Sequence, residues 1–161
     1  MHKPHIILID GESGVGKTTL ANRMAAALGA TVVNLDDAYP GWGGLFTGAA
    51  AITDGVLKPI SEGKPGRFTK WDWAKNCPGE TVMVEVPAVL IVEGCGASTP
   101  VSRKVADTVI WVSAEETERK ERRSAREGGA NETELRKWDK DVSLHIERNH
   151  PIETASVRIR T

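Results

Sequence analysis

The chain has 161 residues, of which 40% are hydrophobic and 27% are charged, so its length fits one folded domain with its own core. Its 21 basic and 22 acidic residues leave a net charge of -1, which argues against nucleic-acid binding through bulk positive charge and against an electrostatic membrane anchor. The apolar runs are much shorter than a membrane span and no signal peptide is recognisable, so we expect a cytoplasmic protein with two reduced cysteines, Cys77 and Cys95.

Short apolar runs predict the strands of the domain. A continuous apolar run that ends at an acid or a glycine is typical of a strand buried on both faces of a sheet. Residues 5–10 and 88–92 show this pattern most clearly. The predicted strands are residues 5–10, 31–35, 81–85, 88–92, 108–112 and 156–160.

An apolar stripe with a stop signal predicts the first helix, over residues 17–28. Leu20, Met24 and Leu28 fall on one face, and Gly29 occupies the stop position. Residues 39–66 are glycine-rich with an apolar middle, so we expect one helix there within mobile loops.

The last part of the chain is highly charged, with the two signs intermixed, as expected of exposed helices. Ser113 with Glu116 predicts a capping box that opens a helix over residues 115–127, and this helix has almost no apolar face. Asn131 with Glu134 predicts the cap of a last, amphipathic helix. Strands that alternate with helices in this way predict an α/β domain with a parallel sheet.

A glycine-rich motif between the first strand and the first helix predicts a phosphate-binding loop. It has the pattern G-x-x-x-x-G-K-[ST], in which glycines let backbone N–H groups turn toward phosphate oxygens at a helix N-terminus. Lys17 can reach the β- and γ-phosphates, and the Thr18 hydroxyl can ligate Mg²⁺. The residues expected to bind the nucleotide are Gly11, Glu12, Ser13, Gly14, Val15, Gly16, Lys17, Thr18 and Thr19.

Three acids lie at the predicted ends of strands. Asp36 and Asp37 follow the second strand, and Glu93 ends the strand over residues 88–92. Because the carboxyl ends of parallel strands line the ligand crevice, we expect Asp36 and Glu93 to meet the phosphate loop. A carboxylate there can hold Mg²⁺ or take a proton from an attacking hydroxyl, whereas Asp37 is equally well explained as a turn residue.

Four arginines lie on the polar helix: Arg119, Arg122, Arg123 and Arg126. On a mobile lid, such side chains can neutralise the charge that spreads over a phosphoryl group in transfer. The alternative is an exposed helix stabilised by its own ion pairs.

These motifs together resemble the uridine kinase-like branch of the P-loop small-molecule kinases over most of the chain. The segment Asp36-Asp37-Ala38-Tyr39 resembles the D-x-F-Y of that family, whose aspartate is the catalytic base, with Ala38 in place of phenylalanine. Val92-Glu93-Gly94 is similar to the E-G of its magnesium site. Residues 122–127 resemble the R-R-x-x-R-D of its lid, with Glu127 in place of aspartate.

The resemblance implies a three-layer α/β/α fold with a five-stranded parallel sheet in the order 2-3-1-4-5, an acceptor-binding insert at about residues 39–80 and a lid at about residues 114–130. It implies ATP and Mg²⁺ as cofactors and a small-molecule hydroxyl as phosphoryl acceptor. Catalytic roles are expected for Asp36, Lys17, Arg122 and Arg126, nucleotide contacts for Arg119 and Arg123, and Mg²⁺ contacts for Thr18 and Glu93. Acceptor contacts are expected from Asp36, Tyr39, Arg67, Trp71, Asp72 and Trp73.

Other functions share the phosphate loop. A GTPase would normally carry N-K-x-D, which the sequence does not contain, and a motor or clamp ATPase is usually larger. A kinase for a polyol or sugar acid remains open, with Arg67 or Arg103 to bind an anionic acceptor, and so does an ATP-binding protein without turnover. We expect a monomer or homodimer.

Overall fold

The computed structural model describes residues 3–161, which form a central sheet, helices on both of its faces and a separate hairpin. The strands are β1 (His5–Gly11), β2 (Thr31–Asn34), β3 (Gly66–Asp72), β4 (Cys77–Val84), β5 (Val89–Glu93), β6 (Thr108–Ser113) and β7 (Val157–Arg160). The α-helices are α1 (Lys17–Leu28), α2 (Leu45–Ile52), α3 (Lys58–Ser61), α4 (Pro100–Arg103), α5 (Glu116–Arg126) and α6 (Glu132–Asn149).

The main sheet has five parallel strands in the order β2-β5-β1-β6-β7. The hairpin strands β3 and β4 do not belong to this sheet. If only the five strands of the main sheet are numbered in chain order, their spatial order is 2-3-1-4-5, as expected. β1 therefore lies in the centre, paired with β5 on one side and β6 on the other. The predicted α/β class and the predicted central position of the first strand are both confirmed.

Two apolar clusters cover the faces of the sheet and make the three layers. On one face α1 packs through Ala21, with Leu20 and Met24 at its margin, against Ile9 and Val112 of the sheet. The other face is larger and is covered by α2, α3 and α6, so that the hydrophobic side chains of all three helices bury the same side of β1 and β5.

The insert between β2 and β5 differs from its prediction. A helix was expected within mobile loops, but α2 continues through a π-helical turn, Thr53–Leu57, directly into α3. Residues 66–72, for which no strand was predicted, form β3 and pair antiparallel with β4, which begins at Cys77 and not at residue 81. β4 is largely exposed, and β3 alternates between buried and exposed residues only over residues 66–69 and is half-buried beyond them, so the apolar alternation that signals a strand is short in their sequence.

At the N-termini of α5 and α6, a side chain accepts a hydrogen bond from a backbone N–H of the first turn. The predicted cap at Ser113 is wrong: Ser113 is the last residue of β6, and the Glu115 carboxylate instead accepts the Glu118 N–H, so α5 begins at Glu116. The predicted capping box of Asn131 and Glu134 is confirmed by both of its hydrogen bonds. Within residues 3–161, no helix combines the length and the apolar content needed to span a membrane.

Candidate active site

The loop that joins β1 to α1 contains two glycines in a left-handed backbone conformation. Gly14 and Gly16 have φ values of 81° and 97°, a left-handed conformation that side chains other than glycine rarely adopt. Gly14 also allows a close approach, since a Cβ at this position would lie 2.1 Å from the carbonyl oxygen of Arg119. Glycine at position 14 is therefore required by packing, because the backbone of α5 lies directly against the loop. This requirement is separate from the predicted phosphate binding.

The Lys17 ammonium lies inside this loop. Its Nζ donates to the Glu12 carbonyl oxygen at 2.8 Å and lies 3.6 Å from the Cys95 sulfur, and the residue is only 8% exposed. A lysine held in this way is a fixed positive charge at the first turn of α1, where the helix N-terminus adds positive potential of its own.

Thr18 and Glu93 meet at the base of the loop. The Thr18 hydroxyl donates to Glu93 Oε1 at 2.9 Å, which brings the end of β5 to the start of α1 as predicted. Burial raises the pKa of Glu93; the nearby Lys17 charge and the Thr18 hydrogen bond oppose this shift, and Asp36 adds to it. A hydroxyl and a carboxylate are hard oxygen donors that fit Mg²⁺. No cluster of three or more His, Cys, Asp or Glu ligands occurs in residues 3–161, so Mg²⁺ there would need phosphate oxygens or waters to complete its shell.

Replacing Glu93 by Gln should stabilise the nucleotide-free protein by roughly 0.5–1 kcal/mol at neutral pH, because it removes a buried charge and keeps an acceptor for Thr18. Since the folded-state pKa is raised, the wild type loses stability as the pH rises from the ordinary carboxyl pKa through the raised one. The stability gap between variant and wild type should therefore be largest at neutral pH and disappear in acid. Urea unfolding between pH 4 and 8 measures it.

Glu80, exposed on β4, offers a matched control, since Glu80→Gln should produce no such pH-dependent gap. A Glu93→Gln protein that is less stable than the wild type at pH 8 would contradict the expectation.

Asp36 lies in a short 3-10 turn, Leu35–Asp37, that follows β2. Its backbone carbonyl accepts a hydrogen bond from the Trp73 indole Nε1 at 2.9 Å, so the hairpin side of the molecule holds the turn in place. The neighbouring Asp37 carboxylate lies 3.8 Å from the Lys70 ammonium. The turn thus presents two acids beside the phosphate loop, one of them paired with a lysine.

A cavity of about 800 Å³ opens between the phosphate loop, the Asp36 turn and α5. It brings together twelve of the predicted site residues. They are Ser13, Gly14, Gly16, Lys17, Thr18, Thr19, Asp36, Tyr39, Trp73, Glu93, Arg122 and Arg126.

The remaining predicted residues do not line this cavity. Three of them belong to the phosphate loop: Gly11 packs on the β6 backbone, Val15 is in the core, and Glu12 pairs with Arg119 at 2.9 Å on the far side of the loop. On the hairpin, Arg67 is exposed, Trp71 is half-buried, and Asp72 accepts the backbone N–H of Lys75.

The four arginines of α5 divide into two groups. Arg122 and Arg126 line the cavity, and Arg122 Nη1 lies 3.3 Å from the Thr161 hydroxyl and 3.5 Å from the Gly14 carbonyl oxygen. Arg123 points away from the cavity and is buried, with Nη1 2.7 Å from Asp139 and Nη2 donating to the Leu135 carbonyl. The structure therefore gives Arg119 and Arg123 contacts that hold α5 in place: Arg119 meets the loop through Glu12, and neither arginine lines the cavity.

Alanine substitutions should separate these groups. Arg123→Ala should lower the free energy of unfolding by about 1–3 kcal/mol, because Asp139 and a backbone carbonyl lose their partner, and should leave nucleotide affinity unchanged. Arg122→Ala should change stability little, since its side chain is 44% exposed, and should weaken nucleotide binding or turnover about tenfold or more. Urea unfolding and calorimetric titration with ATP measure the two effects. If Arg123→Ala weakened ATP binding and left stability unchanged, Arg123 would be a nucleotide contact as first predicted.

Several residues of the cavity were not predicted. Trp138 of α6 donates from its indole Nε1 to the Ser13 hydroxyl at 3.0 Å, and its ring packs edge-on against Tyr39 with centroids 4.7 Å apart. The sequence places Trp138 only on the apolar stripe of its helix, which is a packing signal and not a site signal. The other unpredicted lining residues are Asn34, Asp37, Trp42, Gly94, Cys95, Glu127 and Ala130.

Tyr39 and Cys95 form the buried floor of the cavity. The Tyr39 hydroxyl donates to the Cys95 carbonyl oxygen at 2.7 Å, and burial raises the pKa of this phenol well above its ordinary value. Burial likewise raises the pKa of the Cys95 thiol, so that both side chains are neutral groups at pH 7. Tyr39 therefore acts in packing and in holding the loop after β5.

A buried carboxylate behind the loop was also missed. Asp10, 1% exposed, accepts the N–H groups of Gly11, Gly96 and Ser98. Its Oδ2 also lies 2.7 Å from Nε2 of His145 on α6. One side chain thus joins the phosphate loop, the loop after β5 and the last helix.

Solved structures share this architecture. A structure described as a possible uridine kinase from Bacillus stearothermophilus matches with a TM-score of 0.73 and 18% identity, over 99% of this chain and 90% of that one. A gluconokinase from Sinorhizobium meliloti matches with a TM-score of 0.53 and 16% identity, over 99% and 83%. A D-glycerate 3-kinase from Cryptococcus neoformans matches with a TM-score of 0.54 and 14% identity, over 98% and 84%.

No family model matches the sequence, and no curated protein matches it significantly. Likenesses at such low identity show the fold alone, which this chain shares with the solved structures named above. Among the neighbours named above, the arrangement of this chain is most similar to the one described as a possible uridine kinase. Since this fold serves several acceptors, the function has to be argued from the site.

Proposed function

We propose that the protein is an ATP-dependent phosphotransferase that moves the γ-phosphoryl group of ATP to a hydroxyl group of a small molecule. One observation carries the proposal: the cavity that contains the phosphate loop also contains Asp36, a carboxylate in the turn that follows β2. A protein that only binds nucleotide needs the loop, whereas a carboxylate facing the terminal phosphate suits proton removal from an attacking hydroxyl.

The residues of the cavity have different roles in the proposed phosphoryl transfer. Backbone N–H groups of the phosphate loop, with Lys17, hold the β- and γ-phosphates, and Arg122 and Arg126 neutralise their charge from the side of α5. Thr18 and Glu93 would hold Mg²⁺, which when bound spreads the charge of the β- and γ-oxygens.

Asp36 orients the acceptor hydroxyl and takes its proton as the oxygen attacks. The new bond joins that oxygen to the γ-phosphorus, the bond from the γ-phosphorus to the β–γ bridging oxygen breaks, and ADP leaves with the electron pair. Glycine N–H groups and the Lys17 ammonium face the leaving oxygen, so the same groups that bind the nucleotide stabilise the transition state.

The test combines nucleotide binding with product detection. Calorimetry measures ATP and ADP binding, and a coupled assay follows ATP consumption with a panel of nucleosides, polyols and amino alcohols. Phosphorus NMR then identifies a phosphate monoester as the product. Binding of ATP without consumption across the panel would favour an ATP-binding protein without turnover, and absence of nucleotide binding would refute the proposal.

The oligomeric state, monomer or homodimer, the cytoplasmic location and the closure of the lid stay predictions.

A further inference from the structure

Side chains, more than backbone pairing, hold the phosphate loop in its shape. Among the described residues, no backbone–backbone hydrogen bond outside the helices and strands involves residues 12–15. Lys17 Nζ donates to the Glu12 carbonyl oxygen at 2.8 Å, within the loop itself. The Thr161 hydroxyl, which follows β7, donates to the Val15 carbonyl oxygen at 2.9 Å. The conformation of the loop therefore depends on the side chains that reach it.

The last helix, α6, supplies two more contacts of this kind, seven residues apart. Trp138 Nε1 donates to the Ser13 hydroxyl at 3.0 Å, within the loop. His145 Nε2 lies 2.7 Å from Oδ2 of Asp10, the residue that precedes the loop. Seven residues make almost two helical turns, so both side chains leave the same face of α6. Both are buried, and their polar atoms are directed at the loop or at its base.

His145 fits its contact as a hydrogen-bond donor. A carboxylate only accepts, so Nε2 of His145 carries the proton of the 2.7 Å contact with Asp10. The other ring nitrogen, Nδ1, lies 2.9 Å from the amide nitrogen of Asn149, which donates to it. Both nitrogens of this buried ring therefore have partners, and Asn149 fixes the orientation of the ring from the side away from the loop.

Asp10 extends the contact with His145 to two loops. Its carboxylate also accepts three backbone N–H groups, those of Gly11, Gly96 and Ser98. The first belongs to the start of the phosphate loop, and the other two belong to the loop after β5. The latter loop places the Cys95 sulfur 3.6 Å from Lys17 Nζ. His145 therefore acts, through Asp10, on both sides of the Lys17 ammonium.

We propose that Trp138 and His145 are positioning residues that hold the phosphate loop in the conformation that binds nucleotide. This inference rests on the proposed function for its ligand, whereas the hold on the loop can be measured without nucleotide. A loop that leaves its binding conformation for part of the time binds with an affinity reduced in proportion. The loss of one of these hydrogen bonds should weaken ATP binding about 2–10-fold, the range expected of one such bond.

The first experiment removes one donor at a time and measures ATP binding by calorimetry. Trp138→Phe keeps an aromatic ring beside Tyr39 and removes the indole N–H. His145→Leu keeps the bulk of the side chain and removes the donor to Asp10. His145→Gln offers an amide N–H in place of Nε2 and should restore most of the affinity that His145→Leu loses. Wild-type affinity in either folded donor-deletion variant overturns the role of that residue.

Val142→Ala separates positioning from stability. Val142 is buried on α6 between the two positioning residues and has no polar group, so its truncation lowers stability without removing a hydrogen bond to the loop. We expect this variant to unfold at lower urea concentration and, while folded, to bind ATP as the wild type does. A loss of affinity that follows the loss of stability across all the α6 variants would mean that the helix serves the fold alone, which overturns the inference.

A double variant tests the route through Ser13. Ser13→Ala removes the hydroxyl that Trp138 contacts and leaves the backbone N–H of the loop in place. If Trp138 acts through that hydroxyl, ATP affinity should fall by the same factor in Ser13→Ala, in Trp138→Phe and in the double variant. Losses that multiply in the double variant overturn this route.

Hydrogen exchange measures the hold on the loop without nucleotide. In His145→Leu, the amides of Gly11, Gly96 and Ser98 should exchange severalfold faster than in the wild type, whereas in Val142→Ala they should not. Unchanged exchange in His145→Leu overturns the inference. If the protein binds no ATP, the proposed function fails, and the exchange rates still decide whether α6 holds the loop.

Discussion

Asp36→Asn is expected to lower kcat by about 10²–10⁴-fold while nucleotide affinity stays close to that of the wild type. The substitution keeps the shape of the side chain and removes both the charge and the base. The backbone position is preserved, because the turn is held through the Asp36 carbonyl by the Trp73 indole and not through the carboxylate. Steady-state kinetics with the best acceptor of the panel and calorimetry with ATP measure the two quantities.

Asp54→Asn provides the matched control for this change, since Asp54 is an exposed acid outside the cavity. Full phosphotransfer by Asp36→Asn would contradict the role of Asp36 as base. It would move that role to Asp37, because Asp72, which was expected to contact the acceptor, does not line the cavity. Unchanged rates in an Asp36→Asn, Asp37→Asn double variant would mean that positioning alone is sufficient.

Lys17→Ala is expected to lower turnover by about 10²–10³-fold and to weaken ATP binding as well. Lys17 is the only lysine among the described residues that line the cavity, and in the proposed function its ammonium holds the β- and γ-phosphates. Because Lys17 Nζ also donates to the Glu12 carbonyl, circular dichroism has to show that the variant is folded before its kinetics are compared.

Lys58→Ala is the control for Lys17→Ala, because Lys58 is exposed and pairs only with Asp54 among the recorded ion pairs of the described chain. Wild-type calorimetry and ATP consumption in Lys17→Ala would refute the assignment of the phosphate loop.

The parts of the fold that were predictable are those in which local pattern and burial agree. The apolar run of β1, the glycines of the loop and the apolar stripe of α1 are adjacent in the chain, and each is enforced by packing, so α1 begins and ends as predicted. The hairpin was not predictable in the same way. β4 is mostly exposed, β3 is half-buried beyond its first four residues, and their register shifts between Thr69 and Trp71, which disturbs the alternation of a strand.

In the candidate site, too, some residues were predictable from local sequence patterns and others were not. Motif spacing identified the loop, Asp36 and Glu93, because the carboxyl ends of parallel strands necessarily meet. Trp138 and His145 come from the last helix, more than a hundred residues from their partners Ser13 and Asp10, and no local pattern records such contacts. The position of Arg123 outside the cavity was not predictable, because helical spacing shows that four arginines share a helix, but not which of them turns toward Asp139.

The contacts of Asp10 have a consequence for redesign of the protein. The Asp10 carboxylate joins the phosphate loop to the loop after β5 and to α6 through four hydrogen bonds. These three segments are therefore held together by contacts that do not involve the insert. Trp42 and Trp73 lie on the insert, outside these contacts. Because the Trp73 indole holds the Asp36 turn, Trp42 is the better position for a combinatorial library that explores new ligands while the contacts of Asp10 and the Asp36 turn are kept.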